Sequence, residues 1–274
     1  MSSKIKVDTI ENVAGSGNVS LGSGHNLVVP GNITGSGNLT VDTNTLHVNS
    51  SDNRVGIGTT SPSYPLTISH ASTAYHHSTN GTAQSIFGVD SANTNIMGSL
   101  SNHDIRFITN TTEQGRITTA GLHTKPNQPS FAAYSNNGNW VTTTQGNQTT
   151  ITFNNTFYNV GSHFKTDAGT GQYERFTAPV AGKYVFHLKT YVRLETLDDD
   201  SNHGYTRIRV NGSAFMNSYN IFGYNNSGDS DQNADLTIIC NLAANDYVHC
   251  DVSAASGSMS FYNSACVFMG YMLG

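Results

Sequence analysis

Two aspartate clusters carry the densest chemistry in this chain: Asp198-Asp199-Asp200 and Asp229-Ser230-Asp231. Clustered carboxylate oxygens suit a hard cation such as calcium. Paired carboxylates are also the groups that cleave glycosidic bonds. With Asn233, the second cluster fits the first three ligand positions of an EF-hand loop. Ala234 then stands where that loop needs glycine, and Cys240 where it needs the closing glutamate. A solvated acidic loop is the plainer reading. Calcium at Asp198, Asp200, Asp229 and Asp231, within one loop or between chains, is the other, and no cofactor is required. The glutamates are only Glu11, Glu113, Glu174 and Glu195, so a catalytic pair would have to come from aspartates.

Aromatic and amide residues surround these clusters: His203, Tyr205, Tyr219, Asn220, Tyr224, Asn225, Asn226, Tyr262 and Asn263. Ring faces with amide and carboxylate hydrogen bonds are what hold sugars. Phe222 and Phe261 read instead as core, by alternation. Asp198, Asp200, His203, Tyr224, Asn225, Asp229 and Asp231 are therefore the candidate recognition residues.

Nothing else in the chain points to an enzyme. No Gly-x-Ser-x-Gly elbow, Walker sequence, His-Glu-x-x-His or Cys-x-x-Cys occurs. Gly56-Ile-Gly58 approaches a dinucleotide fingerprint but runs into Ser61-Pro62 and opens no helix. His76 and His77 would point to opposite faces of a strand and cannot chelate together. Cys240 and Cys250 fall in phase with the apolar residues beside them, and Cys266 lies in an apolar strand. All three read as buried, unpaired thiols.

The elements that must position these groups are strands. Charged residues make up only 11% of the 274 and the formal net charge is −5, which suggests neither nucleic acid nor an anionic membrane as partner. No apolar run follows Lys4 as a signal peptide would require, and none is long enough to span a bilayer. Apolar residues concentrate after Phe131, so the second half can bury a core that the first half lacks. Tyr184, Phe186, Leu188 and Val192 share one face of a strand, and Ile208 and Val210 one face of the next. Asn211-Gly212 is a two-residue hairpin turn and Ala243–Asp246 a second tight turn. The long connections are then 195–205, 223–235 and 254–262. Residues 265–273 are apolar on both faces, so the strand needs two covers. Val267, Phe268, Tyr271 and Leu273 are the candidate interface between chains. The first half has short strands separated by Gly/Asn turns, with Gly-Ser-Gly-Asn at Gly15 and again at Gly35. Three copies wound together would pair their edges and bury their apolar stripe. Ile5, Val7 and Ile10 alternate along a first strand suited to adding to a partner's sheet.

The run Phe176-Thr-Ala178-Pro179-Val-Ala-Gly182-Lys-Tyr184-Val-Phe186 and the closing Phe268-Met-Gly270-Tyr-Met-Leu273 resemble the complement-one-q and tumour-necrosis-factor superfamily. That resemblance implies a trimeric jelly-roll head that binds ligands. Calcium occurs in that family. Lys6-Val-Asp-Thr-Ile10, Val55-Gly-Ile-Gly-Thr-Thr-Ser-Pro62 and Arg116-Ile-Thr-Thr-Ala-Gly-Leu122 resemble segments of trimeric tailed-bacteriophage fibres, marine ones especially.

Taken together, the expectation is an all-β chain. Residues 1–12 form a virion anchor strand, 13–126 an intertwined trimeric β stalk, and 127–274 a jelly-roll β-sandwich head of the complement-one-q/TNF-like type. The implied protein is a tail fibre on a virion, assembled in the host cytoplasm. Its N-terminus docks on a tail or adaptor protein, and its tip loops bind a host surface receptor, glycan or protein. A capsid-decorating head fibre and a glycan-cleaving fibre are the competing readings.

Overall fold

The computed structural model of the chain describes residues 35, 37–166, 173–194, 204–220 and 230–273. Among the described residues every regular element is a strand apart from one turn of 3-10 helix at Asn263–Ala265. The chain divides into two compact units, at Asn102/His103.

The described residues of the first unit form two small sheets. Strands β1 (Leu39–Val41), β2 (Leu46–Asn49), β3 (Arg54–Ile57) and β4 (Leu66–Ile68) form one, in that order, with the last pair parallel. Its two glycines have a steric reason. A Cβ at Gly56 would strike the Thr59 carbonyl, and one at Gly58, where φ is +75°, the Ser69 carbonyl. The Val-Gly-Ile-Gly motif is thus a strand and turn, with no phosphate-binding loop. Strands β5 (Ala74–Thr79), β6 (Gln84–Val89) and β7 (Asn95–Ser99) form an antiparallel meander. Phe87 lies between His76 and Met97 on one face of it.

The second unit opens with a three-stranded sheet: β8 (Ile105–Thr109), β9 (Thr112–Ile117) and β10 (His123–Thr124). Arg116 there bridges Asp104 and Glu113. A β-sandwich follows. Its sheet I runs β12 (Trp140–Thr144), β22 (Ser258–Tyr262), β17 (Gly182–Leu194), β23 (Val267–Met272), β11 (Ser130–Tyr134) and β14 (Asn155–Val160). Strand β20 (Ser230–Leu242) pairs along the whole of β17, from Gly182↔Leu242 to Leu194↔Ser230. Sheet II runs β15 (Phe164–Thr166), β16 (Tyr173–Thr177), β21 (Tyr247–Ala254), β18 (Gly204–Val210) and β19 (Ser213–Asn220), with β13 (Gln148–Thr150) also on β21.

Strict alternation builds the core. Along β17, Tyr184, Phe186, Leu188, Thr190 and Val192 are all fully buried, while Val185, His187, Lys189 and Tyr191 between them reach the surface. Phe131 is the hub. Its ring stacks on Phe164 at 4.3 Å and on Phe176 at 5.3 Å, and meets Phe268 edge-on at 5.1 Å. Tyr184 closes the Phe176–Phe186 motif by donating its hydroxyl to the Val180 carbonyl at 2.8 Å. The cysteines behave as small apolar residues: all three are free and buried.

The expected turns are present. Asn211 and Gly212 both have positive φ, as does Asn245 in the second turn. Two of the expected long connections are shorter. Strand β20 already begins at Ser230, so 230–235 is paired strand. Only 255–257 separates β21 from β22.

Candidate recognition surfaces

Strand polarity sorts the sandwich into two ends. Strand β11 pairs antiparallel with β23, Ser130 opposite Tyr271. That places the entry of the sandwich beside the chain's last strand. The tight turns 211–212 and 243–246 lie at this same end, joined where Asn211 Nδ2 donates to Asp246 Oδ1 at 2.8 Å. At the opposite end stand Leu194 and Ser230 in sheet I, and Gly204, Asn220 and Ala254 in sheet II. The turn at 145–147 is tied to this end by a bond from Gln145 N to the Gly257 carbonyl. Residues 195–203 and 221–229 are therefore joined to strands that all end away from Ser130. Asp198, Asp200, His203, Tyr224, Asn225 and Asp229 lie outside the described residues, as do Ile5, Val7 and Ile10.

Asp231 is the one tip candidate that is described, and its setting corrects the loop reading. It sits on β20 opposite Arg193. Its oxygens accept from Arg193 Nε at 2.6 Å, from Arg193 Nη2 at 3.0 Å and from the Tyr191 hydroxyl at 2.8 Å. The Arg193 hydrogen bond, above all, holds the Asp231 carboxyl below its ordinary value. A carboxylate so engaged is a strand-edge clasp, and it does not continue the EF-hand pattern. Among the described residues no three His, Cys, Asp or Glu side chains gather as a metal set. The Arg193 guanidinium also lies over the Trp140 ring at 4.2 Å, and Trp140 packs against Tyr191 and Tyr262. No simple sequence rule announces this cluster, because its members come from four strands.

The outward face of sheet I is apolar near the entry end. Val185, Ile239 and Tyr271 stand in one transverse row, Ile239 62% and Tyr271 50% exposed. Val267 and Met269 are half-buried on the same face, and Leu273 beyond them is exposed. Phe268 belongs elsewhere, which corrects its assignment to an interface between chains. Alternation turns it inward, fully buried against Phe131, Phe153, Phe164 and Phe186. Gly270, two residues on, shares this inward face.

The outward face of sheet II is polar. Arg207 and Arg209 on β18 share the buried carboxylate of Asp251 on β21, and Arg175 on β16 lies in line with His249. Sequence reasoning missed this group. Its one signal was the Arg-x-Arg spacing around the inward Ile208.

No curated protein matches the chain closely enough to count as a relative. Among solved structures, the globular domain of zebrafish complement 1qA is 16% identical, covering 54% of this chain and 98% of its own, with a TM-score of 0.36. Eiger TNF from S. frugiperda is 11% identical over 54% of this chain and 93% of its own, TM-score 0.36. Murine APRIL is 10% identical over 53% and 99%, TM-score 0.35. The family model for the C1q domain matches residues 131–273, just over half of the chain, from the hub Phe131 to the end of the described sandwich. The chain belongs to the C1q domain family.

Proposed function

We propose that this chain is a homotrimeric fibre of a bacteriophage virion whose C1q head attaches the particle to a host surface glycan or protein. C1q domains typically trimerise, and they are typically binding modules that catalyse nothing. The observation that carries the reading is the apolar outward row on sheet I. Val185, Ile239, Tyr271 and Leu273 form a contiguous patch of the kind that marks a protein interface. A neighbouring copy of the chain is the cover we assign to it. The first unit supports it independently. Phe87 and Met97 face water in register at 67% and 62% exposure, on a sheet too small to hold them there profitably.

Trimerisation through sheet I leaves the end opposite Ser130 free, and the connections 195–203 and 221–229 depart from it. Loops on a rigid scaffold are where recognition concentrates. Three weak sites on one head, on many fibres, raise avidity by roughly 10²–10⁴ without new contacts. Residues 1–12, with Ile5, Val7 and Ile10, serve as the anchor on a tail or adaptor protein.

The test is competition for host cells by the purified protein. Alanine at Tyr224 or Asn225 lowers cell binding and leaves the melting temperature unchanged. Deleting residues 2–12 leaves binding intact. Loss of binding on that deletion, or full binding after alanine throughout 198–203 and 224–229, overturns the attachment model. Antibody labelling of whole virions separates a tail fibre from a capsid-decorating one.

A further inference from the structure

The outward face of sheet II holds three guanidinium groups and one buried carboxylate. Val248, Cys250 and Val252 on β21 point into the core, so His249 and Asp251 point out. The register lines up two transverse rows. Arg175, His249 and Arg209 stand in one, and Thr150, Asp251 and Arg207 in the next. Asp251 Oδ1 accepts from Arg207 Nε at 2.7 Å, and Oδ2 accepts from Arg209 Nε. Arg209 is otherwise complete. Its Nη1 donates to the Gly212 carbonyl and its Nη2 to Gln148 Oε1, both at 2.7 Å.

Arg207 is not complete. Its side chain is only 12% exposed, yet its Nη2 is buried with no hydrogen-bond partner. His249 Nδ1 is buried and unpartnered as well. Arg175 is exposed beside His249 on the neighbouring strand, its guanidinium 5.2 Å from the Tyr247 ring, which stacks on His249 at 5.7 Å.

Two guanidinium groups on one carboxylate leave a positive charge uncompensated. An idle N–H beneath the surface is a cost that folded proteins rarely carry without a use. The group that suits such an N–H best is an acceptor with negative charge. Guanidinium forks match the planar or tetrahedral oxygens of an oxyanion. Glu174, next to Arg175 on β16, is the other carboxylate within electrostatic reach of His249.

We propose that this face binds the oxyanion of an acidic polysaccharide, a uronate carboxylate or a sulfate ester. Arg175 makes first contact at the rim, and the Arg207 fork turns outward to hold the group beside Asp251. The site lies on the flank of the sandwich, apart from the strand ends that carry the tip. It depends neither on the tip loops nor on a phage origin.

The experiment is calorimetric titration of the full chain with alginate, chondroitin sulfate and neutral dextran, at low and high salt. Alginate, chondroitin sulfate or both bind, dextran does not, and affinity falls with salt. Binding of alginate assigns the uronate carboxylate; chondroitin sulfate, which carries both groups, assigns the sulfate only where alginate fails to bind. Arg175→Ala weakens binding about fivefold with an unchanged melting temperature. Arg207→Lys keeps the charge but loses the fork, and weakens binding about tenfold. Polyanions that bind no tighter than dextran overturn the site. So does polyanion binding that Arg175→Ala leaves untouched, a variant whose exposed side chain makes folding failure no excuse. Failure here leaves attachment through the tip standing, because that is read on cells by the Tyr224 and Asn225 variants.

Discussion

Adding one methyl group at Gly270 tests the packing of the head directly. The residue sits mid-strand on β23, facing the phenylalanine cluster. A Cβ there would lie 2.5 Å from Phe186 Cδ1, 2.8 Å from Phe186 Cε1 and 3.0 Å from Phe131 Cε1. Neither ring has room to retreat. Both are fully buried, and Phe131 is already stacked at 4.3 Å on Phe164. Overpacking of this kind costs about 1–3 kcal/mol. For a unit of this size each kcal/mol moves the melting temperature by about 2–4 °C, so Gly270→Ala should melt roughly 2–12 °C lower. The assay is thermal unfolding by circular dichroism at one fixed protein concentration, since assembly makes the melting temperature concentration-dependent. Pairing the change with Phe186→Leu supplies the control. The smaller side chain vacates the contested space, so the double variant should lose less than the sum of the two singles. A Gly270→Ala protein that melts with the parent, or strict additivity in the double variant, refutes the steric account of the Phe-x-Gly motif.

Burial, the largest influence, holds His249 below its ordinary value of 6.5, with Asp251 and Glu174 opposing and Arg209 and Arg175 reinforcing. The unfolded chain therefore takes up the proton first. The stability contributed by the neutral imidazole is complete above about pH 6.5 and is lost as pH falls toward the lower folded value. Melting temperatures between pH 7.5 and about pH 5 should fall more steeply for the parent than for His249→Gln, and equal slopes would contradict this. The thiols give a second check. Burial pushes Cys240 to about 11 and Cys266 to about 12, and Cys250 well above the ordinary thiol range. Iodoacetamide near pH 8 should leave all three unmodified in the folded protein and alkylate all three in denaturant, because only the thiolate reacts. Rapid labelling of the folded protein would count against the burial.

Much of the head is legible in the sequence because its strands are half-buried and alternate. Tyr184, Phe186, Leu188 and Val192 announce their shared face, and Asn211-Gly212 announces its turn through the need for positive φ. Phe268 shows where alternation runs out. A strand apolar on both faces hides which face is inward. The clue was Gly270, whose missing side chain makes room for two rings and so marks the inner face. The segment Ser230–Asp235 misleads for the opposite reason. Its polar, turn-prone residues read as a loop, but β17 extends far enough to pair with them and tertiary pairing overrides propensity. The meander at 74–99 is faint in sequence because small and polar residues are spread over both faces, with Phe87 and Met97 on one and Ile86 and Ile96 on the other. The Arg207–Asp251–Arg209 group was invisible for want of register: a carboxylate 44 residues from one arginine and 42 from the other becomes their partner only when β18 and β21 align.

The central claim is that this chain works as a trimer built on the outward face of sheet I. Sedimentation equilibrium of the full chain at micromolar concentration tests it most directly, with two variants alongside. The account predicts three chains for the parent. It predicts folded single chains for Tyr271→Asp, whose charge falls on the exposed face. It predicts an unfolded head for Phe268→Asp, whose charge falls among the buried rings of its own chain. A parent that sediments as a stable monomer, or a Tyr271→Asp variant that remains trimeric, contradicts the account.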